Sequence, residues 1–438
     1  MNSALIEQRW RALHQRLRPE MPPLDMNLYV KPGRSCADAV ARDFLVDPSA
    51  CSKFLLVGAK GGGKSTELRA LSAKLRDNAT VIEIDLDQSG VTAASVSAYD
   101  LLYISALALL QLLPSQDAAP LFDELSSRYS GGNANKKEGL GDFKTALEGI
   151  ANFAGAASLV ASTAGLATGV APIIGLAASA GSHGIRLLES SGVVPESSPQ
   201  GRGLQEIADK IVRAVRKRDE LPICVLIDGL EKMNGEAGER FRQVFEQTRL
   251  LADTGWSAVI AAPPSTLTET SSVDGRGFYT KPVWGFGPDD LEALHRLLEF
   301  RFKDAQLDPV RDVVAGGLEL IAEKSGGLPR HAIMMVREAV IRAAVDKSQV
   351  LTKAHIDEGI DAVAQSLGRG LTAEHIQVLE FVAKTKKLPK AEKAGTLFAD
   401  GRILAYPPAP GSALTRFSVH PLLVADIATA LETERDGT

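Results

Sequence analysis

The sequence has little cysteine and no surplus of positive charge. Its three cysteines, Cys36, Cys51 and Cys224, are odd in number and show neither metal-ligand nor disulfide-framework spacing. That argues against a disulfide-stapled secreted domain and points to a reducing cytoplasm. Cys224, inside an apolar run, reads as a small core residue. With 49 basic against 54 acidic residues the net charge is −5, so no global basic field recruits nucleic acid and only a local patch is left for that role. The segment Met1 to Pro19 alternates Arg, Gln and Glu with apolar residues and lacks the apolar core of a secretion signal.

What is present is enough for several domains: 438 residues, 45% of them hydrophobic. The divisions expected are an N-terminal helix and linker over 1–27, a nucleotide-binding domain over 28–287 with an insert at about 115–200, a helical lid over 288–368 and a winged helix over 369–438. Residues 3–17 read as an amphipathic helix with Trp10 on its apolar side.

The most informative stretch is the apolar run Phe54-Leu55-Leu56-Val57, followed by Gly58-Ala59-Lys60-Gly61-Gly62-Gly63-Lys64-Ser65-Thr66 and a helical pattern. This is G-x-x-x-x-G-K-S between a strand and a helix, the P-loop setting. Glycines let backbone N–H groups curl around a phosphate, and the helix aims its positive end at the same place. Lys64 is expected to bridge the β- and γ-phosphates of ATP, and the Ser65 hydroxyl to ligate Mg²⁺.

A second landmark is Ile223-Cys224-Val225-Leu226-Ile227-Asp228, an apolar strand ending in an acid. Asp228 at the carboxyl end of its strand faces the phosphate crevice and is the candidate Mg²⁺ acid. Glu231 is placed to polarise an attacking water, although an acid at a helix start reads equally well. Strands Thr80–Leu86, Ser257–Ala262 and Phe278–Trp284 alternate with helices, which makes a parallel sheet with helices on both faces. Resemblance to P-loop ATPases, in which the segment before the first strand covers the base, implies Tyr29 and Val30 as candidates for contact with it; ordinary packing is the other reading.

From residue 288 the pattern is helical: 289–302, 307–324, 329–345 and 352–367. Between the second and third lies Gly326-Gly327-Leu328-Pro329-Arg330, which puts Arg330 at a helix start within reach of a γ-phosphate. Helices over 373–384 and 390–399 and the apolar pair 402–406 and 415–419 make a winged helix. Lys384, Lys386, Lys387, Lys390 and Lys393 cluster there, a candidate contact with the DNA backbone diluted by Glu392 and Asp400.

One segment stands outside this scheme. From Gly149 to Ile185 there is not one Asp, Glu, Lys or Arg, and Ala, Gly and Ser dominate. Three readings stand side by side: a buried helical pair, a self-association element, and a membrane-touching hairpin whose halves are short for a bilayer.

The ordered set Gly58–Ser65, Asp228–Glu231, Gly326–Arg330 and the winged helix resembles AAA+-like ATPases of the STAND class, which includes the NACHT and NB-ARC switches and lies near the origin-recognition ATPases. The resemblance covers about residues 28–430. It implies an ATP/ADP-controlled switch with slow hydrolysis, with Pro329 and Arg330 as the lid element beside the nucleotide. Val419-His420-Pro421 is similar to the class's Met-His-Asp element, which implies that His420 touches the β-phosphate; Pro421 departs from the Asp, and a core histidine capping a helix is the alternative. The strand 257–262 ends in Pro263-Pro264-Ser265 without a clear sensor, and no residue stands out as an arginine finger, with nothing to choose between Arg249 and Arg276. A related class, the KAP ATPases, carries membrane segments between the same two motifs, which keeps the membrane-touching reading of the uncharged segment open. The partners implied are another copy of the chain and a protein effector or sensor. DNA is the alternative, as for origin-recognition or transposition-helper ATPases.

Overall fold

The structure is a computed structural model. It describes residues 3–19, 29–86, 96–129, 199–230, 244–245, 249–262, 264–267, 277–287, 290–389, 391–408, 415–425 and 427–429. The uncharged segment 149–185, Glu231, Arg276 and Lys390 lie outside these residues.

In chain order the elements are α1 (Ser3–Arg16), α2 (Cys36–Val46), β1 (Lys53–Val57), α3 (Lys64–Leu75), β2 (Thr80–Asp85), α4 (Ala98–Leu110), α5 (Ser115–Tyr129) and α6 (Pro199–Arg218). There follow β3 (Ile223–Asp228), β4 (Ser257–Ala262), β5 (Phe278–Pro282), α7 (Leu291–Asp304), α8 (Pro309–Asp312), α9 (Gly317–Lys324) and α10 (Pro329–Val345). The chain ends with α11 (Lys353–Gly368), α12 (Ala373–Thr385), α13 (Glu392–Ala399), β6 (Ile403–Tyr406) and β7 (Arg416–Val419). The single helix expected over 307–324 is two, because Gly316 turns the chain with φ +76° between α8 and α9. α10 starts where Pro329 pre-sets the helical φ at its first position. α11 and α12 start with capping boxes, Thr352 with His355 and Thr372 with His375.

The described residues form two compact units. One comprises residues 37–57 and 68–281 and holds the five-stranded sheet, in the order β2-β3-β4-β1-β5. The pairs β1–β4, β3–β4 and β2–β3 are parallel, with Val57 opposite Ala262 and Asp85 opposite Asp228. β1 and β4 are buried along their whole length, as strands covered on both faces must be. This is a parallel P-loop sheet, with the acid-bearing strand and the P-loop strand on either side of β4. α4 is buried at every residue and packs with α5 and α6, so the start of the expected insert, through Ala118, Phe122 and Leu125, belongs to the core. Lys53 on β1 is buried too; the carbonyls of Cys51, Thr254 and Trp256 hold its ammonium, and burial pulls its pKa down to about 8.

The other unit comprises residues 1–36, 58–67 and 282–438. Here α1 joins the lid: Trp10, Leu13 and Leu17 are buried, Trp10 donates its indole N–H to the Ser348 carbonyl at 2.8 Å, and Arg9 pairs with Asp312 at 2.6 Å. α10 and α11 pack along each other. α12, α13 and the antiparallel β6–β7 hairpin, with Ile403 opposite Val419, form the winged helix.

Candidate nucleotide site

β1 ends at Val57 and β3 at Asp228 on the same carboxyl edge of the sheet, one strand apart, which is about 10 Å at the usual strand spacing. From Val57 the chain enters the glycine-rich turn. Gly61 (φ +79°) and Gly63 (φ +98°) adopt the left-handed backbone that side chains resist, and a Cβ on Gly63 would meet nothing within 4 Å. α3 begins at Lys64, so the amides of its first turn have no helical partner and face the concave side of the turn. Lys64 is buried, and its ammonium donates to the carbonyls of Gly58 at 2.9 Å and Ala59 at 3.1 Å. A buried cation held by the loop's own carbonyls, beside an arc of amides, fits the tail of a nucleoside triphosphate.

The lid closes directly on this turn. The Arg330 amide donates to the Gly61 carbonyl at 3.4 Å, and a Cβ on Gly61 would stand 2.2 Å from Arg330 Cβ. Pro329 and Arg330 are thus half-buried at the first turn of α10 and against the P-loop. The Lys60 amide donates to the Ala399 carbonyl at the end of α13 at 2.9 Å, which ties the turn to the winged helix as well. Ala59, Gly326, Leu328, Phe398, Leu404 and Tyr406 enclose a cavity of only about 10 Å³, room for a single water. Tyr406 caps it by donating to the Gly326 carbonyl at 2.8 Å.

Ser65 and Asp228, the residues expected to hold Mg²⁺, are both half-buried; Ser65 lies in the unit with the P-loop turn and Asp228 in the sheet unit. Hydroxyl and carboxylate oxygens suit a hard cation. Asp228 Oδ1 accepts from the Gly229 amide at 3.0 Å. Opposite it in register stands Asp85, a second carboxylate on the same strand edge that the sequence reading passed over. Among the described residues no group of three or more His, Cys, Asp and Glu could hold a metal.

His420 lies in the core and caps the short turn Pro421–Leu423. Its ring is fully buried; Nδ1 accepts from the Leu422 amide at 3.3 Å, which leaves the proton on Nε2. Nε2 faces His331 Nδ1 at 3.0 Å and the Ser325 carbonyl at 3.1 Å. Burial, then the neighbouring His331, lowers the His420 pKa to about 3; burial, then Arg330, lowers that of His331 to about 4. Both imidazoles are therefore neutral at neutral pH and join the lid to the winged helix. Tyr29, expected near the base, spends its hydroxyl on Glu67, to which it donates at 2.7 Å. His331 and Glu67 were legible only as neighbours of motif residues, one position after Arg330 and three after Lys64.

Of the lysines on the winged helix, Lys384 pairs with Glu380 and Lys393 with Glu374, while Lys386 and Lys387 are exposed at the end of α12. Among the described residues no helix is long and apolar enough to cross a membrane.

No family model matches the chain, and no curated protein matches it either. Among solved structures it is similar to the ORC2 protein of Aeropyrum pernix in its ADP form, at 12% identity and a TM-score of 0.42 over 96% of this chain and 98% of that one. It is similar also to the Drosophila ORC bound to DNA, at 12% identity and a TM-score of 0.38 over 97% and 91%. A third is Cdc6p of Pyrobaculum aerophilum, at 13% identity and a TM-score of 0.38 over 94% and 98%. Overlaps this low carry no argument about activity or partner, and the STAND assignment draws nothing from them. The sheet order and the glycine-rich turn of this chain show a P-loop fold.

Proposed function

We propose that the chain binds and slowly hydrolyses ATP, and that the lid and winged helix read the nucleotide's state. The observation that carries this is the contact of the P-loop turn with both modules, Gly61 with Arg330 and Lys60 with Ala399. A γ-phosphate seated in the turn and met by Arg330 would make ATP and ADP bias the lid differently, which is what a switch requires. Lys64 would hold the phosphates, and Ser65 with Asp228 the Mg²⁺, which supplies charge neutralisation for phosphoryl transfer. Glu231 is the candidate for orienting water.

The test is calorimetric titration with ATP and ADP, with the protein sized in ADP and in a non-hydrolysable ATP analogue. Binding of neither nucleotide removes the reading; binding with no change in size or protease pattern removes the switch but keeps the ATPase. A size increase with the analogue would support self-association.

Within this class the STAND reading loses the support of His420, whose nitrogens are engaged by His331, Ser325 and Leu422. The DNA-handling reading gains from Lys386 and Lys387, exposed together at the turn after α12. Binding of duplex DNA that weakens steeply with salt supports it; no binding at low salt removes it.

A further inference from the structure

Between α1 and α2 the described chain resumes at Tyr29 and forms a short strap that ends at Ser35. Both its hydroxyls meet one carboxylate. Tyr29 Oη donates to Glu67 Oε1 at 2.7 Å, and Ser35 Oγ donates to Glu67 Oε2 at 2.9 Å. Glu67 is 4% exposed and Ser35 7%. On the strap's other side a Cβ on Gly33 would stand 2.5 Å from Asp290 Oδ1, so the strap also lies close against the start of α7.

Glu67 is three positions after Lys64 and therefore on the same face of the first turn of α3. A carboxylate there competes with a phosphate for the helix's positive end. Buried, it also needs donors for both oxygens. The strap supplies a donor to each oxygen, and in doing so it is itself held to the helix that carries Lys64 and Ser65.

We propose that Glu67 is a positioning residue for the nucleotide. It pins residues 29–35 to the first turn of the P-loop helix and holds Tyr29 and Val30 at a set place beside the turn. Nucleotide affinity then depends on a carboxylate that does not itself touch the nucleotide. The inference rests on the nucleotide reading above.

The experiment uses the full chain, ATP titration and amide hydrogen exchange, the latter without nucleotide. Glu67→Ala is expected to speed exchange of residues 29–35 and raise the ATP Kd, each about tenfold or more, with β6 and β7 unchanged; Glu67→Gln, which keeps an acceptor and a polar partner, recovers most of the loss. Unchanged exchange in Glu67→Ala overturns the tie. A loosened strap with ATP affinity within about twofold overturns the positioning role. If exchange in β6 and β7 shows that Glu67→Ala fails to fold, Tyr29→Phe decides, because it removes a single donor: a Kd about threefold higher supports the role and an unchanged Kd overturns it. A wild-type chain that binds no ATP sinks the nucleotide reading instead, and does so before any variant is made.

Discussion

Arg330 and Gly61 touch main chain to main chain: the Arg330 amide donates to the Gly61 carbonyl at 3.4 Å, and Arg330 Cβ stands where a Gly61 side chain would begin. The helix that carries the candidate γ-phosphate arginine is therefore positioned by the phosphate-binding turn itself. Gly61→Ala puts a methyl group into that contact at a φ of +79°, and the obstructing atom is a Cβ that cannot swing aside. The expected loss is about 2–4 kcal/mol, combining left-handed strain and overpacking. Chemical denaturation measures it, and a loss below about 0.5 kcal/mol would show that the contact gives way freely.

Arg330→Ala keeps the backbone hydrogen bond to Gly61 and removes the side chain beyond Cβ, guanidinium included. Stability is expected to change by less than about 1 kcal/mol, while ATP turnover falls about tenfold or more. Steady-state hydrolysis with a melting curve separates the two effects; unchanged turnover removes Arg330 from the site.

Lys64→Ala deletes the buried ammonium held by the Gly58 and Ala59 carbonyls. ATP binding should fall about a hundredfold or more, because a charge-assisted phosphate contact is lost and two buried carbonyls lose a donor. Calorimetry reads this directly, and normal affinity would contradict the assigned role.

Asp228→Ala should impair Mg²⁺-dependent hydrolysis and spare much of the binding, since its carboxylate acts on the cation rather than on the nucleotide. Turnover at several Mg²⁺ concentrations is the measurement. Asp85→Asn on the facing strand end makes the informative comparison.

The His331–His420 pair makes the protein acid-sensitive. Both pKa values are lowered in the folded state, to about 4 and about 3, from the ordinary 6.5. Between those limits the unfolded chain binds more protons, so stability is complete above pH 6.5 and falls as the pH drops toward 4. Each ring contributes a slope of up to about 1.4 kcal/mol per pH unit. Protonating His420 at Nδ1 would also break its bond from the Leu422 amide. Melting curves from pH 7 to 4.5 should show a clearly shallower decline in His331→Phe; an equal decline would place the sensitivity elsewhere.

Much of the architecture was readable without coordinates. The short apolar runs of β1, β3 and β4 read as inner parallel strands from their length and flanking turn residues, and the structure buries them as such. Pro329 marks the start of α10 to the residue. The helix expected over 307–324 was misread because its apolar spacing continues through Gly316, where the backbone does not. The role implied for His420 was drawn from a three-residue likeness, and which atoms an imidazole faces is not carried by its neighbours in the chain.

The amino-acid order alone determined the glycine-rich turn after β1, the acid at the end of β3 and the winged helix, because strand period, glycine placement and helix caps act over a few residues. Only the tertiary structure decided that Gly61 receives Arg330, that Lys60 is tied to Ala399, that Glu67 holds Tyr29 and Ser35, and that His420 faces His331. Each of those joins residues far apart in the chain, and such partners are chosen by which surfaces pack and which buried polar groups still need a bond.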